Sequence, residues 1–175
     1  MTLFLSLTFT EALWFLPFVL PICIWVALSD LREMRIPNVA VLSLAGGFIL
    51  VGLLLVYGLG VWTLDIYLWR LAVLGIVLVI GFAVSSLGMV GAGDAKFAAA
   101  MAPFIAPGDG LFFVMLFSLV LIGAWVTHRT AGRIPALRRA TAHWASWDQG
   151  KLFPMGVALA GALSIYLGLG IIAGI

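Results

Sequence analysis

Charge is what this chain has least of. Only 9% of its 175 residues are Asp, Glu, Lys or Arg, while 65% are hydrophobic and mean hydropathy is +1.25. A soluble domain carries about 25% charged residues. No soluble core could bury this much apolar surface in so short a chain, so the composition excludes a soluble globular protein and predicts a polytopic membrane protein of the all-α class. Cysteine is almost absent. Cys23 alone excludes an intrachain disulfide and a Cys-x-x-Cys metal site. The N-terminus has no basic stretch and carries Glu11 ahead of its first apolar run, which does not read as a cleaved signal peptide. No internal repeat, low-complexity tract or soluble domain is visible.

What the chain does have is apolar runs, at Leu13–Leu28, Val39–Leu59, Leu71–Leu87, Ala95–Ala106, Leu111–Val126 and Leu152–Ile175. A membrane helix needs about 20 residues. Five runs qualify once their flanks are counted, and the fourth is short. At about 1.5 Å per residue it falls well under the ~30 Å hydrocarbon core. It crosses only if the preceding Gly-Ala-Gly-Asp loop sits at membrane depth or the helix runs on past Pro103. Irregular backbone at that depth needs protein or a water-filled cavity around it. The expectation is six transmembrane helices with a short or broken fourth, and a pocket at the loop.

With six spans, the connections after the first, third and fifth hold Arg32, Arg35, Lys96, Arg129, Arg133, Arg138, Arg139 and Lys151, and the other side holds only Arg70. This asymmetry predicts that those three connections are cytoplasmic. The first reads Ser29 to Asn38. Ile36 precedes Pro37 and should be extended, and Asn38 can cap the second helix. The third, Thr127 to Lys151, mixes Arg residues with His128, His143, Trp144 and Trp147. That composition suits a segment lying on an anionic membrane surface. The external turns near Asp65 and Pro107-Gly-Asp-Gly110 show turn composition and little else.

The chain has seven acids. A carboxylate in or beside hydrocarbon is costly and asks for a reason. Asp94 follows Gly91 and Gly93 at the head of the short helix, where glycine permits a turn and a close approach. Asp30 ends the first helix on the same predicted side. Two close carboxylates cannot both ionise easily, so one keeps a proton. The ionised member can take a proton from water while the neutral one protonates a scissile carbonyl, as in aspartic proteases. The bland alternatives are that Asp30 is a solvated flank balanced by Arg32 and Arg35, and that Lys96 is a membrane-edge lysine. Lys96 could otherwise bias the pair toward ionisation or meet a substrate acid. Ala95, Ala98, Ala99 and Ala102 have small-xxx-small spacing that allows close helix packing. His128 and His143 lack ligand partners at suitable spacing and read as loop residues. Two carboxylates alone make a thin metal site, so no metal or other cofactor is expected. Ser29, Ser85 and Ser86 lack a His or Lys beside them for serine hydrolysis.

Gly91-Ala-Gly-Asp-Ala-Lys-Phe97 resembles the Gly-x-Gly-Asp motif of intramembrane aspartic peptidases. Asp30-Leu-Arg-Glu-Met-Arg-Ile-Pro-Asn38 resembles the first-aspartate motif of one branch, the type IV prepilin peptidases. Phe153-Pro-Met-Gly-Val-Ala-Leu-Ala160 is similar to the Pro-aromatic-Gly segment that opens that family's last helix, with Met155 in place of the frequent aromatic. The Pro-Ala-Leu motif of the presenilin-like branch is missing. The resemblance implies that Asp30 and Asp94 are catalytic and that Pro37, Asn38, Gly91, Gly93, Lys96, Pro154 and Gly156 shape the site. It implies a prepilin or pilin-like substrate with a short charged leader, cut after glycine and before an apolar helix. The partners are then that substrate and the lipid bilayer, with no nucleic acid, and the location is the bacterial inner membrane with the active site facing the cytoplasm. Without the two Cys-x-x-Cys pairs of the larger enzymes, the chain looks like the short peptidase-only form associated with tight-adherence (Flp-type) pili, a single peptidase domain over residues 1–175 with no methyl transfer. The rival readings are a small ion-coupled transporter using the broken helix, and a non-catalytic subunit of an assembly machine.

Overall fold

A computed structural model describes residues 5–150 and 152–173, so Lys151, one of the cations counted above, lies outside the described residues. Seven helices are described and, among those residues, they form an all-α molecule: α1 (Phe9–Glu33), α2 (Asn38–Leu53), α3 (Leu64–Ser86), α4 (Ala92–Met101), α5 (Gly110–Ala131), α6 (Pro135–Ala140) and α7 (Met155–Ala173). A π turn, Leu54–Gly58, prolongs α2, and 3-10 turns follow α4 at Ala102–Phe104 and precede α5 at Pro107–Asp109. Five segments are long and apolar enough to cross a membrane: Phe9–Glu33, Asn38–Gly58, Leu64–Ser86, Pro107–Ala131 and Met155–Ala173. Large apolar side chains stand outward on them, Phe82 at 74% and Leu119 at 70% exposure, as lipid-facing residues must. The chain is an all-α polytopic membrane protein.

The fourth apolar run is the exception the sequence implied. From Ala92 to Phe104 it rises only about 20 Å, and it lies in the centre. Ala95, Phe97, Ala99, Ala100, Met101 and Phe104 are all buried. Its alanines let neighbours approach: a Cβ on Gly81 of α3 would stand 3.2 Å from that of Ala95. Phe104 closes the run inside an aromatic cluster, 4.9 Å from Phe15 and 5.2 Å from Phe48 between ring centroids.

The crossing segments alternate between two ends of the molecule. At one end Asp30 of α1 meets Gly156 of α7, and Lys96 of α4 meets Asn38 of α2. At the other, a buried polar network ties the far termini together. Thr8 and Glu11 form a capping box that starts α1. Glu11 also pairs with Arg70 of α3 at 2.6 Å, both side chains only 4% exposed, and accepts a hydrogen bond from Trp62. The Arg70 guanidinium lies 4.3 Å over the Trp62 ring and donates to the Pro103 carbonyl. Asp109 accepts from the Ser6 and Leu7 amides and from the Tyr166 hydroxyl, which itself accepts from the Ala106 amide.

Three expectations are corrected by these elements. The Pro107–Gly110 turn holds a buried acid rather than turn composition alone. Arg70 is buried inside α3, which begins at Leu64, not at the edge of a span starting at Leu71. α5 runs to Ala131, so His128 is a helix residue, stacked on Trp147 with centroids 4.6 Å apart, while His143 is an exposed loop residue.

Candidate active site

Two aspartates line one cleft at the end opposite the network. α1 ends in a left-handed Met34, the one non-glycine residue with positive φ among those described, whose N–H donates to the Asp30 carbonyl at 3.0 Å. That turn leaves Asp30 on the last helical turn facing inward, only 5% exposed. Its Oδ2 accepts the Gly156 N–H at 2.7 Å. Gly156 is the second residue of α7, so this amide has no partner within its own helix, and the positive end of α7 favours the negative charge. Asp30 is therefore no solvated flank, and Gly156 has a steric reason. A Cβ there would stand 2.9 Å from Asp30 Oδ2 and 3.0 Å from Ile36 Cδ1.

Asp94 is half-buried in the first turn of α4, again at the positive end of a helix. Gly-Ala-Gly-Asp is thus not a loop: Gly91 is the N-cap, and Ala92, Gly93 and Asp94 are already helical. Neither glycine takes a left-handed conformation. Gly91 matters because a Cβ would come within 2.7 Å of Asp94 Oδ2, whereas one on Gly93 would meet Ile36 at an ordinary 3.5 Å.

Asp30 and Asp94 line one cleft of about 310 Å³ with Met34, Arg35, Ile36, Asn38, Gly91, Ala92, Gly93 and Lys96. The cleft therefore brings together most of the expected site residues. Pro37 and Pro154 do not line it: Pro37 is the N-cap of α2, and Pro154 directly precedes α7. One expectation is corrected. Asn38 does not cap α2. It is the first helical residue, Pro37 takes the cap position without a side-chain bond, and the Asn38 Oδ1 instead accepts from Lys96 Nζ at 3.3 Å. Lys96 is exposed at the rim of the cleft.

Sequence reasoning missed the part played by Ile36 and Met34. Ile36 is buried, wedged between Gly93 and Gly156. Its signal was an isolated apolar residue in a polar connection just before a proline. Met34 gave none, since nothing local marks a methionine for a left-handed turn. Among the described residues no three His, Cys, Asp or Glu side chains gather as metal ligands.

In chemical terms, the cleft is polar: it presents two acids at the positive ends of two helices, with an ammonium, a guanidinium and an amide beside them. Neither a search of curated proteins nor one of solved structures finds a match. A family model does match, that of the type IV leader peptidase family, over residues 17–127. The match spans both aspartates, α1 from Pro17 onward and the whole of α4, and stops short of the Gly156 segment. With well over half its length matched, the chain belongs to the type IV leader peptidase family, as a multi-pass membrane protease of leader-peptidase type.

Proposed function

We propose that the chain is an intramembrane aspartic endopeptidase that removes leader peptides from prepilin-like substrates, with Asp30 and Asp94 as its catalytic pair. The observation that carries this reading is the common cleft of the two aspartates. Two carboxylates sharing a site hold one proton between them. The ionised member takes a proton from water, whose oxygen attacks the scissile carbonyl carbon. The neutral member gives its proton to the carbonyl oxygen. Collapse of the tetrahedral adduct breaks the C–N bond, with a proton passing to the leaving nitrogen. The pair titrates as a unit, so neither residue has a separate role. Gly156 and Gly91 keep side chains away from the two carboxylates, and Ile36 fills the space behind them.

In this reading residues 1–175 form one peptidase unit, the connection between α5 and α7 included. The cation-rich end, with the cleft, faces the cytoplasm of the inner membrane. A substrate whose apolar helix lies in the bilayer then presents its leader junction at the depth of the aspartates. Methyl transfer is left out, because the single cysteine cannot form the Cys-x-x-Cys pairs linked to it in the larger enzymes. By the same resemblance the pilus system is of the tight-adherence (Flp) kind. The test is co-expression of a candidate prepilin with wild type, Asp30→Asn or Asp94→Asn, followed by gel mobility. Each substitution should abolish the shorter product while the protein inserts normally. Retained cleavage in either variant sinks the dyad.

A further inference from the structure

α2 and α3 are consecutive and touch at the end away from the cleft, where Tyr67 donates to the Ile49 carbonyl and stacks on Phe48, but toward the cleft α4 lies between them and packs on both. The gap is an apolar groove of about 430 Å³, floored by Ala99 and Ala100 of α4 and walled by Val41, Leu42, Leu74 and Leu78. Asn38 and Lys96 line this groove and also line the cleft of the two aspartates. The apolar groove therefore opens directly onto the polar cleft. On the other side of α3 a second groove, with Val84, Phe117 and Leu159, reaches Asp94 but touches neither Asp30, Asn38 nor Lys96.

We propose that the groove between α2 and α3 receives the apolar helix of the substrate, and that Asn38 and Lys96 hold the backbone that unwinds as it passes into the cleft. This rests on the peptidase reading above. A floor of alanines lets a helix backbone come close. A peptide bond inside a helix is inaccessible, so cleavage needs a short extended stretch, and its freed N–H and C=O groups need partners at membrane depth. The Asn38 amide offers donors and an acceptor, and the Lys96 ammonium offers donors. Their present 3.3 Å bond to one another is the one a substrate backbone replaces. A helix in the second groove would bring its peptide to Asp94 alone.

The test uses a probe made of a short charged leader, a glycine and an apolar helix of about 20 residues. A photoreactive benzoylphenylalanine replaces Leu42, Leu74, Val84 or Phe117 in the Asp94→Asn chain, which retains uncleaved probe. Positions 42 and 74 should cross-link to the probe's helix, and 84 and 117 should not. Cross-links from 84 and 117 alone, or from 42 and 74 only to lipid or a second copy of the chain, overturn the proposal. In the active chain, Ala45→Phe narrows the same groove. It should raise KM for the probe tenfold or more with kcat kept, while Val84→Phe changes neither. An unchanged KM in Ala45→Phe overturns it as well. If the wild-type chain cleaves no leader-bearing probe, the peptidase reading fails and this proposal with it. Cleavage with cross-links on the wrong side of α3 overturns the docking alone.

Discussion

A single missing side chain sets how α7 meets α1. The Gly156 amide reaches Asp30 Oδ2 at 2.7 Å only because nothing projects from its Cα. In Gly156→Ala the new methyl stands 2.9 Å from that oxygen, 3.0 Å from Ile36 Cδ1 and 3.2 Å from Asp30 Cβ, so the carboxylate or the helix must shift. A displacement near 1 Å at a reacting group can cost about a hundredfold in rate. We expect a loss of that order in initial rates on a prepilin probe, with normal membrane insertion. Gly93→Ala makes only ordinary contacts and should keep most of its activity. A Gly156→Ala enzyme at wild-type rate would show that the α7 contact is dispensable. The place of Asp94 in the cleft was legible because an acid behind two glycines in so apolar a chain is costly, and that of Asp30 through the motif it opens. Gly156 was visible only as part of a resemblance, since its cause is a contact across 126 residues. Asn38 was misread for the same reason. The capping rule sees only neighbours, and its partner Lys96 is 58 residues away.

Among the elements, α4 poses the problem the others solve. It is too short to span, so its two ends need protein around them, and the buried network supplies this at the Phe104 end. Arg70 is central there, bonded to Glu11 and Pro103. Arg70→Ala leaves the Glu11 charge buried without its cation, which typically costs about 3–5 kcal/mol. Thermal unfolding in detergent should register that loss. Replacing both partners, as Glu11→Gln with Arg70→Met, should recover much of it, and an Arg70→Ala protein as stable as wild type would contradict the anchoring role. The network was half legible: Glu11, Arg70 and Asp109 all fall on one predicted side. Runs of hydropathy treat a charge as the end of a helix, however, and an arginine paired inside the protein does not end one. The basic connection is a second element with a definite packing. Trp147 stacks on His128 and on Trp144, and its indole N–H donates to Thr141. Trp147→Ala should free residues 132–150 and speed tryptic cutting at Arg133, Arg138 and Arg139. Unchanged cutting would mean that the stack does not hold the loop.

Over the whole molecule, charge and chemistry share an end. Arg32, Arg35, Lys96, Arg129, Arg133, Arg138 and Arg139 all belong to the end that carries the cleft, and the far end's Arg70 is neutralised by Glu11. An apolar bundle cannot choose its orientation from hydropathy, which is the same in both directions, so the basic residues decide it. The alternation of the segments was legible because it needs only a count of runs. The central burial of the fourth was not, because a row of alanines reads equally well as an edge or a centre until its neighbours are known. Orientation is directly testable once Cys23, the chain's single cysteine and a buried one, is replaced by alanine. A cysteine at exposed Ala142 near the cleft end and another at exposed Val61 at the far end then report the two sides. A membrane-impermeant maleimide should label Val61→Cys in spheroplasts and Ala142→Cys only in inverted vesicles. The reverse pattern would put Asp30 and Asp94 on the outer face, where a leader kept in the cytoplasm could not reach them. The peptidase chemistry could survive that result, but leader removal at the cytoplasmic face could not.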